Sequence, residues 1–167
     1  MIAPYTSILT EAIEAIYETP YTGGYTNTQK GIEDCMAELS GQENAVIVVI
    51  TDGGASACVG ENGRICNSVD NGDCCKSDNT EGGVPPSVAA EEAADVAASK
   101  GMSVVPVAIS RVESQLRLIK DLARCPGREG PCKKFQNLSV NSIDDLDDVL
   151  EELVAATTSC DLYGFGG

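Results

Sequence analysis

Histidine and tryptophan are both absent from this sequence of 167 residues, and the lack of histidine excludes the most chemistry. Without an imidazole the chain cannot form a Ser-His-Asp or Cys-His nucleophile, or a zinc site with histidine ligands. The candidate reactive groups are therefore mainly carboxylates, hydroxyls and thiols.

Basic residues are also few, since 11 lysines and arginines stand against 26 acidic residues, for a formal charge of −15. Such a field repels phosphate, which argues against nucleic-acid binding. An acidic surface of this kind keeps a protein in solution and attracts cations. No apolar run is long enough to span a bilayer, and Met1–Pro4 lacks the basic and apolar regions of a signal peptide.

Eight cysteines are a high count for an acidic chain of this length. Their even number predicts disulfide bonds and an extracellular or luminal setting. Zinc binding is one alternative, although no Cys-x-x-Cys pair occurs, and reduced cytosolic thiols are another. The segment from Cys125 to Cys132 is a compact loop that one bridge can close. The pairing of Cys35 and Cys160 stays open.

Hydrophobic periodicity predicts an alternation of helices and strands. The predicted helices cover approximately Thr6–Tyr17, Thr28–Leu39, Ser87–Lys100, Glu113–Ala123 and Ser142–Thr157. The predicted strands cover Val46–Thr51, Met102–Ile109 and Phe135–Val140. Ser87 and Ser142 are the expected N-caps. This order predicts an α/β fold with a mostly parallel sheet and helices on both faces.

Residues 54–86 interrupt this alternation. They consist largely of Gly, Asn, Asp, Ser and Cys, and they show neither a helical nor a strand period. We expect a long Cys-rich insertion there, held by disulfide bonds rather than by a hydrophobic core.

Two short segments carry the most distinctive chemistry. Gly24-Tyr25-Thr26-Asn27-Thr28 places two hydroxyls on a Gly-rich turn directly before a predicted helix. Ala45–Ile50 is an uninterrupted apolar run, typical of a strand covered on both faces, and Thr51-Asp52-Gly53 follows it. Open α/β sheets bind ligands at the carboxyl ends of their strands, where Asp52 is expected. Hydroxyl and carboxylate oxygens are ligands that Mg²⁺ or Mn²⁺ prefers.

Together the two segments resemble the second and third loops of the metal-ion-dependent adhesion site of von Willebrand factor type A (vWA) domains. The resemblance implies a Rossmann-like vWA fold over residues 1–160, with the insertion at 54–86 and a Gly-rich tail at 161–167. It also implies Mg²⁺ or Mn²⁺ bound by Thr26 and Asp52. In this alignment Thr28 caps the following helix, and Thr51 precedes the ligand without replacing it.

The first loop of the family's site, Asp-x-Ser-x-Ser, does not occur in this sequence. By the family's pattern this loop follows a central strand upstream of Met1. We therefore expect a truncated vWA domain that lacks its first strands and binds the metal weakly or not at all. A degenerate relative that binds partners without a metal is the alternative.

The resemblance implies an extracellular protein-binding and adhesion module, whose metal accepts an Asp or Glu carboxylate from a protein partner. A metal-dependent hydrolase built on Asp52 is the second hypothesis. That enzyme needs a general base, and the insertion holds the candidates: Asp73, Asp78 and Glu81. We expect no enzymatic activity. Asp52 taken alone is an ordinary turn residue, and Thr26 and Thr28 suit a turn or an N-cap, so only their combination favours a metal site.

Overall fold

The computed structural model describes residue 18 and residues 24–42, 44–60, 65–67, 84–109, 112–136, 138–140, 145–146 and 149–150. The helices in these ranges are α1 (Thr28–Glu38), α2 (Pro86–Ser99) and α3 (Glu113–Lys120), with a 3₁₀ helix at Lys133–Phe135. The strands are β1 (Val46–Thr51), β2 (Ala57–Val59), β3 (Ile65–Asn67), β4 (Ser103–Ile109) and β5 (Ser139–Val140). The helix predicted at 6–17 lies outside the described residues, as does most of the helix predicted at 142–157.

Strands β1, β4 and β5 form a parallel sheet in that order, which confirms the predicted α/β class. The register pairs Val46 with Ser103 and Thr51 with Ala108. β4 has a described neighbour on each side and is buried along nearly its whole length. β1 has one such neighbour, and Ile47 is its only buried residue, but the rest of the strand is partly buried. Side chains of β1 pack against a hydrophobic core on each face of the sheet, so both faces of the strand are covered as predicted.

Two hydrophobic cores lie on opposite faces of β4, because successive side chains of a strand point to opposite faces. Val104 belongs to the core formed with α1 and α2, which contains Ile32, Met36, Ile47, Ala93, Ala94, Ala97 and Met102. Val105 and Val107 belong to the other core, with Ala123, Cys132, Phe135, Val140, Leu146 and Leu150. Leu146 and Leu150 are helical, so helical residues cover both faces as predicted.

The starts of two helices differ from the prediction. α2 begins at Pro86, one residue before the expected N-cap Ser87, and no side chain caps it. Proline suits this first position because the N–H that it lacks would have no partner within the helix. For α1 the N-cap is Asn27, whose Oδ1 accepts a hydrogen bond from the Lys30 N–H at 3.0 Å. Thr28, the predicted cap, is instead the first residue of the helix.

The strand predicted near Phe135–Val140 is mostly wrong, since β5 covers only Ser139–Val140. The preceding residues form the 3₁₀ helix, in which the Phe135 N–H donates to the Cys132 carbonyl at 3.0 Å. This tight turn places Phe135 in the core beside Val105 and Val107, where its side chain is 3% exposed. Burial of one aromatic ring therefore prevails over the strand preference of the segment.

The region predicted as an insertion contains regular structure. β2 and β3 form an antiparallel pair that aligns Ala57 with Asn67 and Val59 with Ile65. The expectation that residues 54–86 carry no strand is therefore wrong at these two segments. Residues 61–64 and 68–83 lie outside the described ranges.

The predicted bridge between Cys125 and Cys132 is present, with a Cα–Cα distance of 5.5 Å. Cys58 is also disulfide-bonded, whereas Cys35 on α1 is a free thiol. These findings confirm disulfide bonds at both cysteine-rich stretches. In the described part of the chain, no helix has the length and apolar character needed to cross a membrane.

Candidate functional site

The turn before α1 is joined to the loop after β1 by three hydrogen bonds. The Thr26 N–H donates to the Ser56 hydroxyl at 2.8 Å. The Thr26 carbonyl accepts from the N–H of Ser56 at 2.9 Å and from the N–H of Ala57 at 3.1 Å. Both polar backbone groups of Thr26 are therefore used in this contact. It joins the first segment that the sequence singled out to the loop that follows the second, about 30 residues away.

Local sequence explains why the turn has this shape. Gly24 has a φ of +105°, a backbone conformation that side-chain-bearing residues rarely adopt. Asn27 then caps α1, so the chain turns at Gly24 and enters the helix within four residues. Thr26 lies between these two fixed points, and Ser56 holds it from the opposite loop.

Asp52 lies directly after β1, at the carboxyl end of the strand, and its side chain is exposed. The preceding hydroxyl is already used, since Thr51 Oγ1 donates to the Gly53 carbonyl at 2.6 Å and accepts from the Gly53 N–H at 3.2 Å. These bonds form a tight turn around Asp52. Thr51 therefore orients the loop, and Asp52 is the residue whose polar side chain points away from internal partners.

The Thr26 hydroxyl and the Asp52 carboxylate form no hydrogen bond with other described residues. Both are thus available as hard oxygen donors, of the type that Mg²⁺ and Mn²⁺ accept. Within the described ranges no three Asp, Glu, Cys or His side chains come close enough to hold a metal ion by themselves. One hydroxyl and one carboxylate are two of the about six oxygens that Mg²⁺ takes, so water or further oxygens would be needed to complete its shell.

Gln29 is a polar residue that sequence reasoning missed. It lies in the first turn of α1 and is 8% exposed, yet its Oε1 has no hydrogen-bond partner. Its Nε2 donates to Glu33 Oε1 at 2.9 Å, which fixes the amide orientation. A buried acceptor without a partner is unfavourable by about 1–3 kcal/mol. An additional oxygen acceptor is therefore present three residues after Thr26. No motif pointed to it, because glutamine is common in helices.

The free thiol of Cys35 is a weak candidate for covalent chemistry. Burial raises the pKa of this thiol above its usual range, and the neighbouring carboxylates of Asp34 and Glu38 raise the pKa further. The thiolate is the nucleophilic form, so a raised pKa leaves little of it at neutral pH. Cys35 also packs against the core formed by α1 and α2. Its position and ionisation both indicate a structural role.

Comparison with known proteins gives similarity of fold alone. No protein-family model matches the chain, and no curated protein matches it. Two crystal structures of the pilus adhesin SpaC from Lactobacillus rhamnosus GG are similar in structure. One aligns with a TM-score of 0.58 at 12% identity, and the other, in the open conformation, with 0.56 at 13%. Each alignment covers 88% of this chain but 21% of the adhesin, so the chain spans about a fifth of the length of these structures.

Ser56→Ala is expected to loosen Thr26 without unfolding the chain. The substitution removes the acceptor of the Thr26 N–H, while both bonds to the Thr26 carbonyl remain. One net hydrogen bond contributes about 0.5–1.5 kcal/mol, so amide exchange at Thr26 should accelerate roughly tenfold. Exchange followed by NMR is the measurement.

Two variants serve as controls for this prediction. Ser56→Thr keeps the hydroxyl and should retain protection at Thr26. Ser99→Ala removes a different hydroxyl, one that donates to the Val96 carbonyl at 2.7 Å at the end of α2, and should leave Thr26 unchanged. Unaltered exchange at Thr26 in Ser56→Ala would show that Ser56 does not hold the turn.

Proposed function

We propose that this chain is part of an extracellular adhesion module of the vWA type, which binds a protein partner through a divalent metal. The observation that carries the proposal is the three-bond contact between Thr26 and the loop at Ser56 and Ala57. It joins the turn that bears the proposed hydroxyl ligand to the loop that follows Asp52 in the chain. The adhesin fold of the structural neighbours and the disulfide bonds support an adhesive role outside the cell.

In the proposed site Asp52 supplies a carboxylate ligand and Thr26 a hydroxyl ligand to Mg²⁺ or Mn²⁺. When bound, the metal supplies a positive centre with an open position for the carboxylate of a partner's Asp or Glu. Asp52 is exposed, so this position is accessible to a partner. Thr51 and Ser56 hold the two loops in place, and neither is assigned as a ligand. The vWA resemblance adds the first loop, Asp-x-Ser-x-Ser, which this sequence does not contain.

The β2–β3 pair borders the proposed site. β2 begins at Ala57, directly after Ser56, and the Ala57 N–H takes part in the contact with Thr26. A partner whose carboxylate binds the metal would also contact this pair of strands. We therefore assign partner selectivity to the region at 54–86, because it lies beside the proposed site.

No observation favours the hydrolase. The side chains described in hydrogen bonds of these two loops are the hydroxyls of Thr51 and Ser56, which are not general bases. The bases considered from the sequence, Asp73, Asp78 and Glu81, lie outside the described ranges. The raised pKa of Cys35 makes its thiol a poor nucleophile. We propose no catalytic role for this chain.

Titration calorimetry with Mn²⁺ tests the metal site. Thr26 and Asp52 provide two protein ligands of unit total charge, whereas Mg²⁺ usually takes six oxygens in near-octahedral order. This chain alone should therefore bind Mn²⁺ weakly, and a chain extended upstream to include Asp-x-Ser-x-Ser should bind it clearly better. Equal affinity in the two chains would contradict the proposed site.

A further inference from the structure

Positive charge is concentrated in one part of this acidic chain. Residues 111–134 contain seven of the 11 lysines and arginines but three of the 26 acids, so their formal charge is +4 against −19 for the rest of the sequence. The net charge of the whole chain does not show this separation of positive and negative residues. A local excess of one sign creates a local field, which acts on partners independently of the net charge.

The structure brings most of these basic residues to one surface. Arg117 and Lys120 lie on the last turn of α3, Arg128 lies in the disulfide-closed loop, and Lys133 and Lys134 lie on the 3₁₀ helix. Four of the five are exposed, and Lys120 is half-buried. The Cys132 N–H donates to the Ala123 carbonyl at 2.8 Å, which ties the loop to the end of α3. We call these five residues the basic edge.

A shallow depression lies between α3 and the segment after the 3₁₀ helix. It is lined by Lys120, at the end of α3, and by Gln136 and Leu138. The disulfide between Cys125 and Cys132 fixes the loop between them. The five charges are therefore carried by a cross-linked framework rather than by separate loops.

The elements that carry the basic edge lie along β4. Val104, near the start of β4, pairs with Arg124 through hydrogen bonds of 3.0 and 2.9 Å. Lys120 lines the same depression as Pro106 and Ala108, which lie nearer the end of that strand. The basic edge therefore follows the side of β4 on which α3 lies.

The basic edge takes no part in the salt bridges of the described part of the chain, although Lys134 Nζ lies 5.8 Å from the centroid of the Phe135 ring. The two salt bridges found there join Lys30 with Asp34 and Arg124 with Asp95, and neither involves a residue of the basic edge. Arg124 lies in the same basic segment, but unlike the basic edge it forms a salt bridge. It is 3% exposed, and its guanidinium donates to Asp95 and to the carbonyls of Asp121 and Ala123. Arg124 stabilises the fold, whereas the basic edge faces solvent.

The composition of the basic edge indicates the class of its partner. Stable interfaces with folded proteins are centred on buried aromatic or apolar anchors. Three of the exposed large hydrophobic residues of the described chain, Tyr25, Val88 and Val96, lie on other elements, and the fourth, Val112, is a small side chain at the start of α3. Phe135 is buried in the core, so its ring is not available to stack on bases. A charged surface without an exposed ring suits a flexible, linear polyanion.

We propose that the basic edge binds a linear anionic polysaccharide through its sulfate, carboxylate or phosphate groups. Arg117 and Arg128 offer planar guanidinium groups that can grip an acidic group with two hydrogen bonds, and the lysines act as point charges. The site uses none of the residues of the proposed metal site. The chain would then have two binding surfaces of opposite charge.

Heparin, a sulfated polysaccharide, is the probe for the test. The whole chain should bind it at 50 mM NaCl, with an affinity that falls linearly in a plot of log affinity against log salt. Lys133→Glu should weaken binding roughly tenfold, because it removes one contact and adds a repulsion. Lys30→Glu makes the same change of charge at an exposed site on α1, outside the basic edge, and it should leave the affinity within about twofold. Thermal melting of both variants verifies that they are folded.

Each outcome of this test bears on the proposal. Loss of binding in Lys133→Glu with retention in Lys30→Glu supports it, and Lys133→Gln should then show an intermediate loss. Failure of the folded wild-type chain to bind heparin overturns it. Equal losses in the two charge reversals also overturn it, because net charge rather than the basic edge would then control binding. Tighter binding to poly-glutamate or to anionic vesicles than to heparin would assign the surface to an acidic protein or a membrane instead.

Discussion

Replacing Asp52 by asparagine is expected to abolish the binding of Mn²⁺ in a chain extended to include Asp-x-Ser-x-Ser, while the fold is kept. Asp52 is the one carboxylate in the two matched segments, and asparagine keeps its shape but removes its charge. Removing groups that only support a metal ligand already lowers affinity by about 10–100-fold, so loss of a charged ligand should exceed that range. Asp52 is exposed and has no described internal partner, so the melting temperature should barely change.

Glu38→Gln is the matched control for this prediction. Glu38 is exposed at the last position of α1, and the substitution removes the same charge from a residue outside the site. Calorimetric titration of both variants separates a ligand from a general effect of negative charge. If Glu38→Gln weakened Mn²⁺ binding as much as Asp52→Asn, long-range attraction would explain the binding and the site assignment would be wrong. Thr26→Ala, which removes the proposed hydroxyl ligand, should give a smaller loss than Asp52→Asn.

Removing the bridge between Cys125 and Cys132 should have the largest effect on stability. A disulfide closing a loop of this size stabilises a fold by roughly 2–3 kcal/mol through the entropy of the unfolded chain. Both cysteines also contact the core that contains Val105 and Phe135, so their loss affects packing as well. The double substitution Cys125→Ala and Cys132→Ala should therefore lower the free energy of unfolding by about 3 kcal/mol.

Urea unfolding of the double variant measures this effect. Cys35→Ala is the control, because Cys35 is free, half-buried and close in size to alanine, and it should cost less than about 1 kcal/mol. A double variant as stable as Cys35→Ala would mean that the bridge contributes nothing to the folded chain. The double variant should also bind heparin less well than the wild-type chain, because the loop that carries Arg128 is then no longer closed by a disulfide bond.

Sequence patterns predicted the elements that depend on long apolar periods. The bounds of β1 agree with the prediction, and those of β4 and α1 differ by one residue at one end. Prediction failed where tertiary contacts decided the local structure. Phe135 turns into the core instead of continuing a strand, and Pro86 begins α2 because its ring suits the first helical position. No periodicity in the sequence contains that information.

The candidate site was only partly accessible to sequence reasoning. Thr26 and Asp52 follow from a recognised pattern, and their role as metal ligands stays a prediction. Ser56 could not be found in the same way, because its importance comes from a hydrogen bond to a backbone N–H about 30 residues away. Sequence patterns also did not indicate Gln29, because its Oε1 stands out only through its burial without a described hydrogen-bond partner. The basic edge depends on contacts between α3, the disulfide-closed loop and the segment around the 3₁₀ helix, which the sequence does not reveal.

The pairing of β1 with β4 has a consequence for how the protein can change over evolutionary time. These strands are aligned from Val46 and Ser103 to Thr51 and Ala108, so the chain between them forms one long closed loop. The entropic cost of closing such a loop grows only logarithmically with its length, and doubling the length adds about 0.6 kcal/mol. Insertions between β1 and α2 therefore add little to the cost of closing the sheet, whereas Ala57 and Cys58 on β2 are buried and less free to change. Selection on the length of the rim of the proposed binding site can thus act almost independently of selection on folding.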